Sequence, residues 1–142
     1  MPTARKKYVF EILSDVGTKR AKTDKIKELQ KHKENWALLD VLRGTYDDNI
    51  VWLLPEGAPP YEPSRPESHP TDLSREHKKF GQFVKGGPGA KLPAFKREQQ
   101  FIGLLEGIHP EDAKVIINMT NKKPIGAISL NLVKEAFPEL IK

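Results

Sequence analysis

The sequence has no cysteine, which excludes a disulfide framework, a thiolate zinc site and a thiol nucleophile. It also has no apolar run close to the roughly 20 residues that a membrane-spanning helix needs. Its N-terminus has basic residues followed by a few apolar ones, but Glu11 and Asp15 interrupt the apolar stretch that a signal peptide requires. These absences predict a cytoplasmic protein that does not meet a membrane.

Groupings typical of catalysis or metal binding are also lacking. The four histidines, His32, His69, His77 and His109, show no metal-ligand spacing. No arrangement of serine, histidine and aspartate can be argued from the sequence, and there is no internal repeat or coiled-coil heptad. We therefore predict a protein without catalytic residues, metal site or cofactor, and not an enzyme.

Positive charge is in excess and is unevenly spread. The 142 residues include 24 Lys and Arg against 19 Asp and Glu, a net charge of +5. Residues 1–45 hold 11 basic against 6 acidic residues and residues 71–100 hold 7 against 3, whereas residues 46–70 hold 1 against 5. Basic segments of this kind are common in proteins that bind nucleic acid, although many only keep a protein soluble.

Apolar residues at helical spacing predict helices over most of the chain. The predicted helices cover residues 5–16, 23–32, 34–43, 72–84, 94–106 and 110–120, and Ser129 caps a last short one. In the first helix Val9, Leu13 and Val16 should face inward, and in the third Trp36 should be largely buried. The pattern predicts an all-α fold.

Five prolines within residues 55–66 exclude regular helix there and predict an extended connector. The chain is therefore predicted to consist of a three-helix N-terminal unit (1–45), an acidic proline-rich connector (46–70) and a C-terminal helical lobe (71–142). The apolar run before the prolines must be buried against the protein itself or against a partner. The candidate partner-binding residues are Trp52, Leu53, Leu54 and Tyr61. The alternative is that Trp52 seals the gap between the two lobes.

Lysines alternate with phenylalanines in the C-terminal basic segment. The candidate nucleic-acid-binding residues are Lys78, Lys79, Lys85, Lys91, Lys96 and Arg97, interleaved with Phe80, Phe83 and Phe95. Such a composition is typical of a groove for phosphates and stacked bases. The alternative is that the phenylalanines belong to the core and the lysines to ordinary surface. A second basic cluster, within residues 19–33, has the same two interpretations.

Two further motifs resemble phosphate-binding turns. Residues 104–116 resemble a helix-hairpin-helix turn, but His109 replaces its second glycine, and Glu111 and Asp112 bring negative charge to the place of the phosphate. A tight corner built for packing is the favoured interpretation. The glycine-rich stretch 85–91 lacks the spacing of a nucleotide-binding P-loop, so nucleotide hydrolysis is not expected.

Several phrases are distinctive in combination. They are Trp52-Leu-Leu-Pro-Glu-Gly57 with Pro60-Tyr61, Phe83-Val-Lys-Gly-Gly87, Phe101-Ile-Gly-Leu-Leu-Glu-Gly-Ile-His109 and Leu132-Val-Lys-Glu-Ala-Phe137. They resemble an uncharacterised family of small proteins of T-even-like, especially marine, tailed bacteriophages, from about residue 18 to the end. The resemblance implies a phage protein that acts in the bacterial host cytoplasm or is packaged in the virion. It implies no activity, cofactor or site residue.

Three functions are consistent with these features. The leading hypothesis is a non-enzymatic accessory protein associated with nucleic acid in phage replication, transcription or DNA handling. The alternative is a protein-binding adaptor or inhibitor that engages host or phage machinery through residues 50–61. The third is a virion component. The sequence leaves open DNA against RNA, the identity of the partner and the oligomeric state.

Overall fold

The computed structural model describes residues 7–141, and within this range the chain is helical, with no strand beyond isolated bridges. The α-helices are α1 (Val9–Gly17), α2 (Lys22–Gln30), α3 (Trp36–Tyr46), α4 (Leu73–Glu76), α5 (Ala94–Gly107), α6 (Pro110–Thr120) and α7 (Leu130–Ala136). A 3-10 helix, His77–Phe83, follows α4 directly. None of the helices in residues 7–141 has the length and apolar character needed to cross a membrane. The prediction of an all-α fold is confirmed.

Capping side chains fix where several helices begin. Asn35, Asp72 and Ser129 each accept a hydrogen bond from the backbone N–H three residues later. Each bond satisfies one of the N–H groups that a first helical turn leaves unpaired. The predicted start of the first helix, at residue 5, lies outside the described residues. Tyr8 precedes α1, and its N–H donates to the Glu11 carboxylate at 2.9 Å.

Trp36 does not lie where the sequence predicted. Its side chain is 63% exposed, although it begins a strongly apolar helix. The buried hydrophobic side chains of α3 are Ala37, Leu38, Val41 and Leu42. Successive residues of a helix are rotated by about 100°, so Trp36 and Arg43, seven residues apart, lie on the same side of α3. Arg43 is exposed, and Trp36 is exposed with it. The prediction of a buried Trp36 was wrong because it counted apolar residues without assigning them to one face.

The predicted helix 72–84 is in fact two helices, since α4 gives way to the 3-10 helix after one turn. Side chains three residues apart are eclipsed in a 3-10 helix. This geometry places Phe80 and Phe83 on one side, where both are buried. The change of helix type therefore serves the packing of these two rings, which the sequence correctly assigned to the interior.

Helices from the two ends of the chain are direct neighbours. α3 packs on α6 and α2 packs on α7, while α1 contacts both α2 and α6. The buried hydrophobic side chains form one cluster that extends from Val9 to Ile141. The predicted N-terminal unit and C-terminal lobe thus share a single core in the described residues.

The connector lies on the protein surface without helix from Asp47 to Asp72. Its first part pairs with the end of the 3-10 helix, because the Leu53 N–H donates to Phe83 at 2.7 Å and the Lys85 N–H donates to Val51 at 2.8 Å. Further along it hydrogen-bonds to the C-terminal ends of α6 and α5. These bonds satisfy backbone groups that would otherwise lose water on packing. The connector is therefore fixed along its length to the C-terminal half of the protein.

Candidate nucleic-acid interface

All six predicted nucleic-acid-binding residues lie on one packed substructure, here called the basic unit. It consists of the 3-10 helix, the glycine loop (residues 84–93) and the first turn of α5. A Cβ added to Gly87 would lie 2.1 Å from the carbonyl oxygen of Gly81. One added to Gly89 would lie 2.0 Å from that of Gln82. Only glycine allows the loop backbone to approach the 3-10 helix so closely. The glycines therefore fix the loop to the helix.

Arg97 holds the glycine loop and the connector to α5. Its Nε donates to the carbonyl oxygen of Leu53 at 3.2 Å, and its Nη1 donates to those of Gly89 and Ala90 at 3.4 Å and to that of Leu92. These carbonyls occupy the guanidinium group that the sequence assigned to phosphate. We therefore reassign Arg97 from the interface to the framework that positions it.

The five predicted lysines, by contrast, face water. They are Lys78, Lys79, Lys85, Lys91 and Lys96. Lys79 lies 3.1 Å from Glu76, whereas no carboxylate in residues 7–141 lies within ion-pair distance of the other four. Lys78 lines a cleft towards α3 and Lys79 a different cleft towards α5. The structure thus leaves the five charges accessible and places Lys78 and Lys79 at different clefts.

Of the three interleaved phenylalanines, one is exposed. Phe80 and Phe83 are buried, and the ring of Phe83 meets that of Phe101 edge to face at 5.4 Å. Phe95 is 58% exposed on the first turn of α5, next to Lys96. The sequence contains the signal, because Phe95 falls off the helical stripe on which Phe101 lies. Base stacking on this unit can therefore use Phe95 alone among the three.

The four predicted partner-binding residues contact the protein itself. Trp52 donates its indole N–H to the carbonyl oxygen of Gly44 at 2.9 Å and meets Phe80 edge to face at 6.1 Å. Leu54 and Tyr61 are half-buried against the core, and Leu53 is half-buried with its backbone paired to the 3-10 helix. This arrangement matches the alternative in which Trp52 seals a gap between helices.

An apolar residue that the sequence did not single out is accessible beside the connector. Val51 is 46% exposed and lines an open cleft of about 950 Å³. The cleft is also lined by Leu130, which is exposed, and by the turn that contains Lys122 and Lys123. Exposed apolar side chains that share a cleft are a common feature of protein-binding surfaces. Trp52 and Leu54 also line this cleft.

The corner between α5 and α6 does not offer a phosphate site. His109 is buried, and its Nδ1 accepts the Glu111 N–H at 3.0 Å. The side chain thus satisfies a donor that a phosphate would need. Ile108, before it, is fully buried. The corner is a packing turn, as the favoured interpretation of the motif held.

A buried carboxyl group lies next to this corner. Asp112 is 1% exposed and accepts the Phe10 N–H at 2.9 Å, which joins the start of α1 to the start of α6. The pKa of Asp112 is raised to about 6, mainly by burial and to a lesser extent by the charges of Glu11 and Asp72, while the Phe10 N–H and His69 oppose the change. Residues 7–141 contain no group of three potential ligands that could hold a metal ion. Sequence reasoning missed this junction because its members are far apart in the chain.

The second basic cluster is largely engaged within the protein. Lys19 and Lys31 lie 3.7 and 3.3 Å from the buried Glu28. Lys22 pairs with Glu135 on α7 at 2.8 Å, and Lys25 donates to a carbonyl near α7. The contacts of Lys22 and Lys25 attach α2 to α7 and to the segment before it, whereas the Lys31–Glu28 pair is local to α2. The structure thus favours a framework role for much of this cluster.

A protein-family model matches most of the chain. A model for a family of unknown function (DUF6433) matches residues 12–125, from within α1 to the turn after α6. None of the curated proteins compared with the chain matches it. The matched segment includes the whole basic unit, the connector and Asp112, but not Phe10, its partner at the buried junction. Because the match extends over most of its length, the chain belongs to this family of unknown function.

Proposed function

We propose that the protein is a non-enzymatic accessory protein that associates with nucleic acid through the basic unit. The observation that carries the proposal is the exposed Phe95 among unpaired lysines. Lys96 is its neighbour in the chain, and Lys91 lies between two residues whose carbonyls bind Arg97. Lysines attract phosphates, and an exposed ring offers a face on which a base can stack. Both features together favour single-stranded nucleic acid.

The test compares variants of matched charge. Lys85→Gln, Lys91→Gln and Lys96→Gln together remove three cations of the basic unit and leave Lys78 in place. Arg20→Gln, Lys27→Gln and Lys33→Gln remove three exposed cations around α2. Binding of a labelled single-stranded oligonucleotide and of the matching duplex is measured by fluorescence anisotropy at several salt concentrations.

The first variant should weaken binding and flatten the slope of log K against log salt by about 2, because each phosphate contact on a single strand contributes about 0.7. Phe95→Ala should weaken binding to the single strand more than to the duplex. The α2 variant should bind like the unchanged protein. Equal loss in the two triple variants, or no binding at low salt, would refute the proposal.

We also propose a phage setting, in the cytoplasm of the bacterial host. Its support is the set of phrases between Trp52 and Phe137 that resemble proteins of T-even-like bacteriophages. Mass spectrometry of purified virions, compared with lysate of infected cells, separates a cytoplasmic accessory protein from a virion component. Detection of the protein in the lysate but not in virions supports a cytoplasmic accessory protein. Enrichment of the protein in virions supports a virion component.

A protein-binding adaptor is a second candidate, which the cleft beside the connector favours. Val51→Asp with Leu130→Asp changes two exposed side chains, so the fold should persist. Pull-down from infected cells, treated with nuclease, should recover a partner with the unchanged protein and with Trp36→Ser, but not with the double variant. If the unchanged protein captures a partner without nuclease but loses it after nuclease treatment, the result would favour the nucleic-acid proposal.

A further inference from the structure

A second, smaller cleft lies between α3 and the 3-10 helix. Its volume is about 430 Å³, within the range of small-molecule sites. Its charged lining residues are Asp40 and Arg43 from α3 and His77 and Lys78 from the 3-10 helix. Its apolar wall is formed by Ile50, Trp52, Phe80 and Val84. The cleft therefore joins an apolar wall to charged groups from two helices.

His77 and Asp40 form a hydrogen-bonded pair in this cleft. The distance from His77 Nδ1 to Asp40 Oδ2 is 2.6 Å. Because a carboxylate can only accept, Nδ1 carries the proton and Nε2 remains for another contact. No hydrogen bond joins Nε2 to any residue in 7–141, and Nε2 is not among the enclosed atoms that lack a partner. The pair thus orients an imidazole whose second nitrogen is available.

The charge of the cleft is positive in either state of His77. Arg43 and Lys78 are exposed, and no carboxylate of the described residues lies within ion-pair distance of either. If His77 is protonated, its pair with Asp40 is neutral, and the charges of Arg43 and Lys78 give the cleft a net charge of +2. If His77 is neutral, the negative charge of Asp40 reduces this net charge to +1. No charged residue of the connector lines the cleft.

We propose that this cleft binds a free nucleoside phosphate. The planar guanidinium of Arg43 can contact two phosphate oxygens, and Lys78 and Nε2 of His77 can contact the same group. The apolar wall with Trp52 then faces the sugar or the base. The site shares only Lys78 with the five lysines of the basic unit, and it does not depend on the proposed function.

The probes are adenosine 5′-monophosphate, adenosine and sulfate. Binding of each is measured by the change in the amide chemical shifts of the protein in solution. Adenosine 5′-monophosphate, added up to about 10 mM, should change the amide chemical shifts of residues that line the cleft. This concentration range detects a Kd near 1 mM. Arg43→Gln and His77→Gln should each weaken this binding about tenfold, the size of one charge-assisted hydrogen bond. Arg20→Gln, outside the cleft, should leave it unchanged. Adenosine alone should bind more weakly.

Sulfate tests the anion-binding groups of the cleft without a nucleoside. His77→Gln and Arg43→Gln should each weaken sulfate binding, because each removes a group that lines the cleft, whereas Arg20→Gln should not. The triple lysine variant of the basic unit should still bind adenosine 5′-monophosphate, so the two proposals can fail separately. The proposal is overturned if no amide of the cleft changes its chemical shift, or if Arg20→Gln weakens binding as much as Arg43→Gln. It is also overturned if His77→Gln leaves the affinity for sulfate unchanged.

Discussion

At the scale of single residues, the buried carboxyl of Asp112 makes stability depend on pH. Its pKa rises from 3.8 in the unfolded chain to about 6 in the fold, so the folded protein holds the proton more tightly. The stability that this group contributes is complete below about pH 4 and is lost as pH rises through 6. This change in pKa corresponds to about 3 kcal/mol of unfolding free energy. The N-terminus of α6 favours the ionised carboxylate and offsets about 0.3–1 kcal/mol of that value.

Asp112→Asn should therefore raise the free energy of unfolding by about 1–2 kcal/mol at pH 7.5. The amide oxygen can still accept the Phe10 N–H. Denaturant unfolding of both proteins between pH 4 and pH 8 gives the difference at each pH, which should vanish at the acid end. Glu111→Gln changes an exposed carboxylate one position earlier and should show no such trend. A difference independent of pH would contradict this account.

Two helical glycines should respond to alanine in opposite directions. A Cβ on Gly44 would lie 2.7 Å from the Trp52 ring and 2.6 Å from the Met119 sulfur. The methionine can move, but the ring is held by its hydrogen bond to the Gly44 carbonyl. A Cβ on Gly103 of α5 would meet no atom within 4 Å. In thermal unfolding, Gly103→Ala should stabilise by about 0.5–1 kcal/mol and Gly44→Ala should destabilise by about 1–3 kcal/mol. Stabilisation by both would show that Trp52 is not packed as described.

At the scale of elements, Arg97 separates a framework role from a phosphate contact. Lysine keeps the charge at this position but cannot reach several carbonyls with a planar fork. If Arg97 holds the glycine loop, Arg97→Lys should destabilise the protein by about 1–3 kcal/mol and expose residues 89–92 to protease. If it binds phosphate, Arg97→Lys should keep the stability of the protein and most of its affinity for nucleic acid.

Thermal unfolding and limited proteolysis of Arg97→Lys distinguish these outcomes. Arg75→Lys, an exposed arginine on α4, is the control and should change neither. A stable, protease-resistant Arg97→Lys protein would return Arg97 to the interface.

The elements were predictable to the extent that local pattern determines them. The apolar stripes and the cap at Ser129 located the helices to within a few residues. The sequence could not show that the rings of Phe80 and Phe83 would favour a 3-10 helix, because that choice depends on the partners they meet. Nor could it show that Arg97 would find its carbonyl acceptors in the connector and the loop. Such contacts join residues distant in the chain and leave no local spacing to read.

At the scale of the whole molecule, the shared core predicts one cooperative unit. α2 contributes Leu29, which is fully buried, and packs on α7, which contributes Val133. The sequence suggested two lobes because the prolines interrupt the helical pattern between residues 55 and 66. Periodicity reports which face of a helix is apolar but not which helix covers it. The pairing of α2 with α7 and of α3 with α6 therefore had no signal in the sequence.

Leu29→Ala tests this cooperativity with the full chain. Removal of a fully buried leucine should lower the free energy of unfolding by about 2–5 kcal/mol. If the core is one unit, slowly exchanging amides in α6, which does not contain the substitution, should lose protection by the same free energy, because they open only with global unfolding. Hydrogen exchange followed by mass spectrometry or NMR measures this, with the exposed Lys27→Ala as the control. Faster exchange limited to α1, α2 and α3 would show instead that the N-terminal helices unfold on their own, as two separate lobes would.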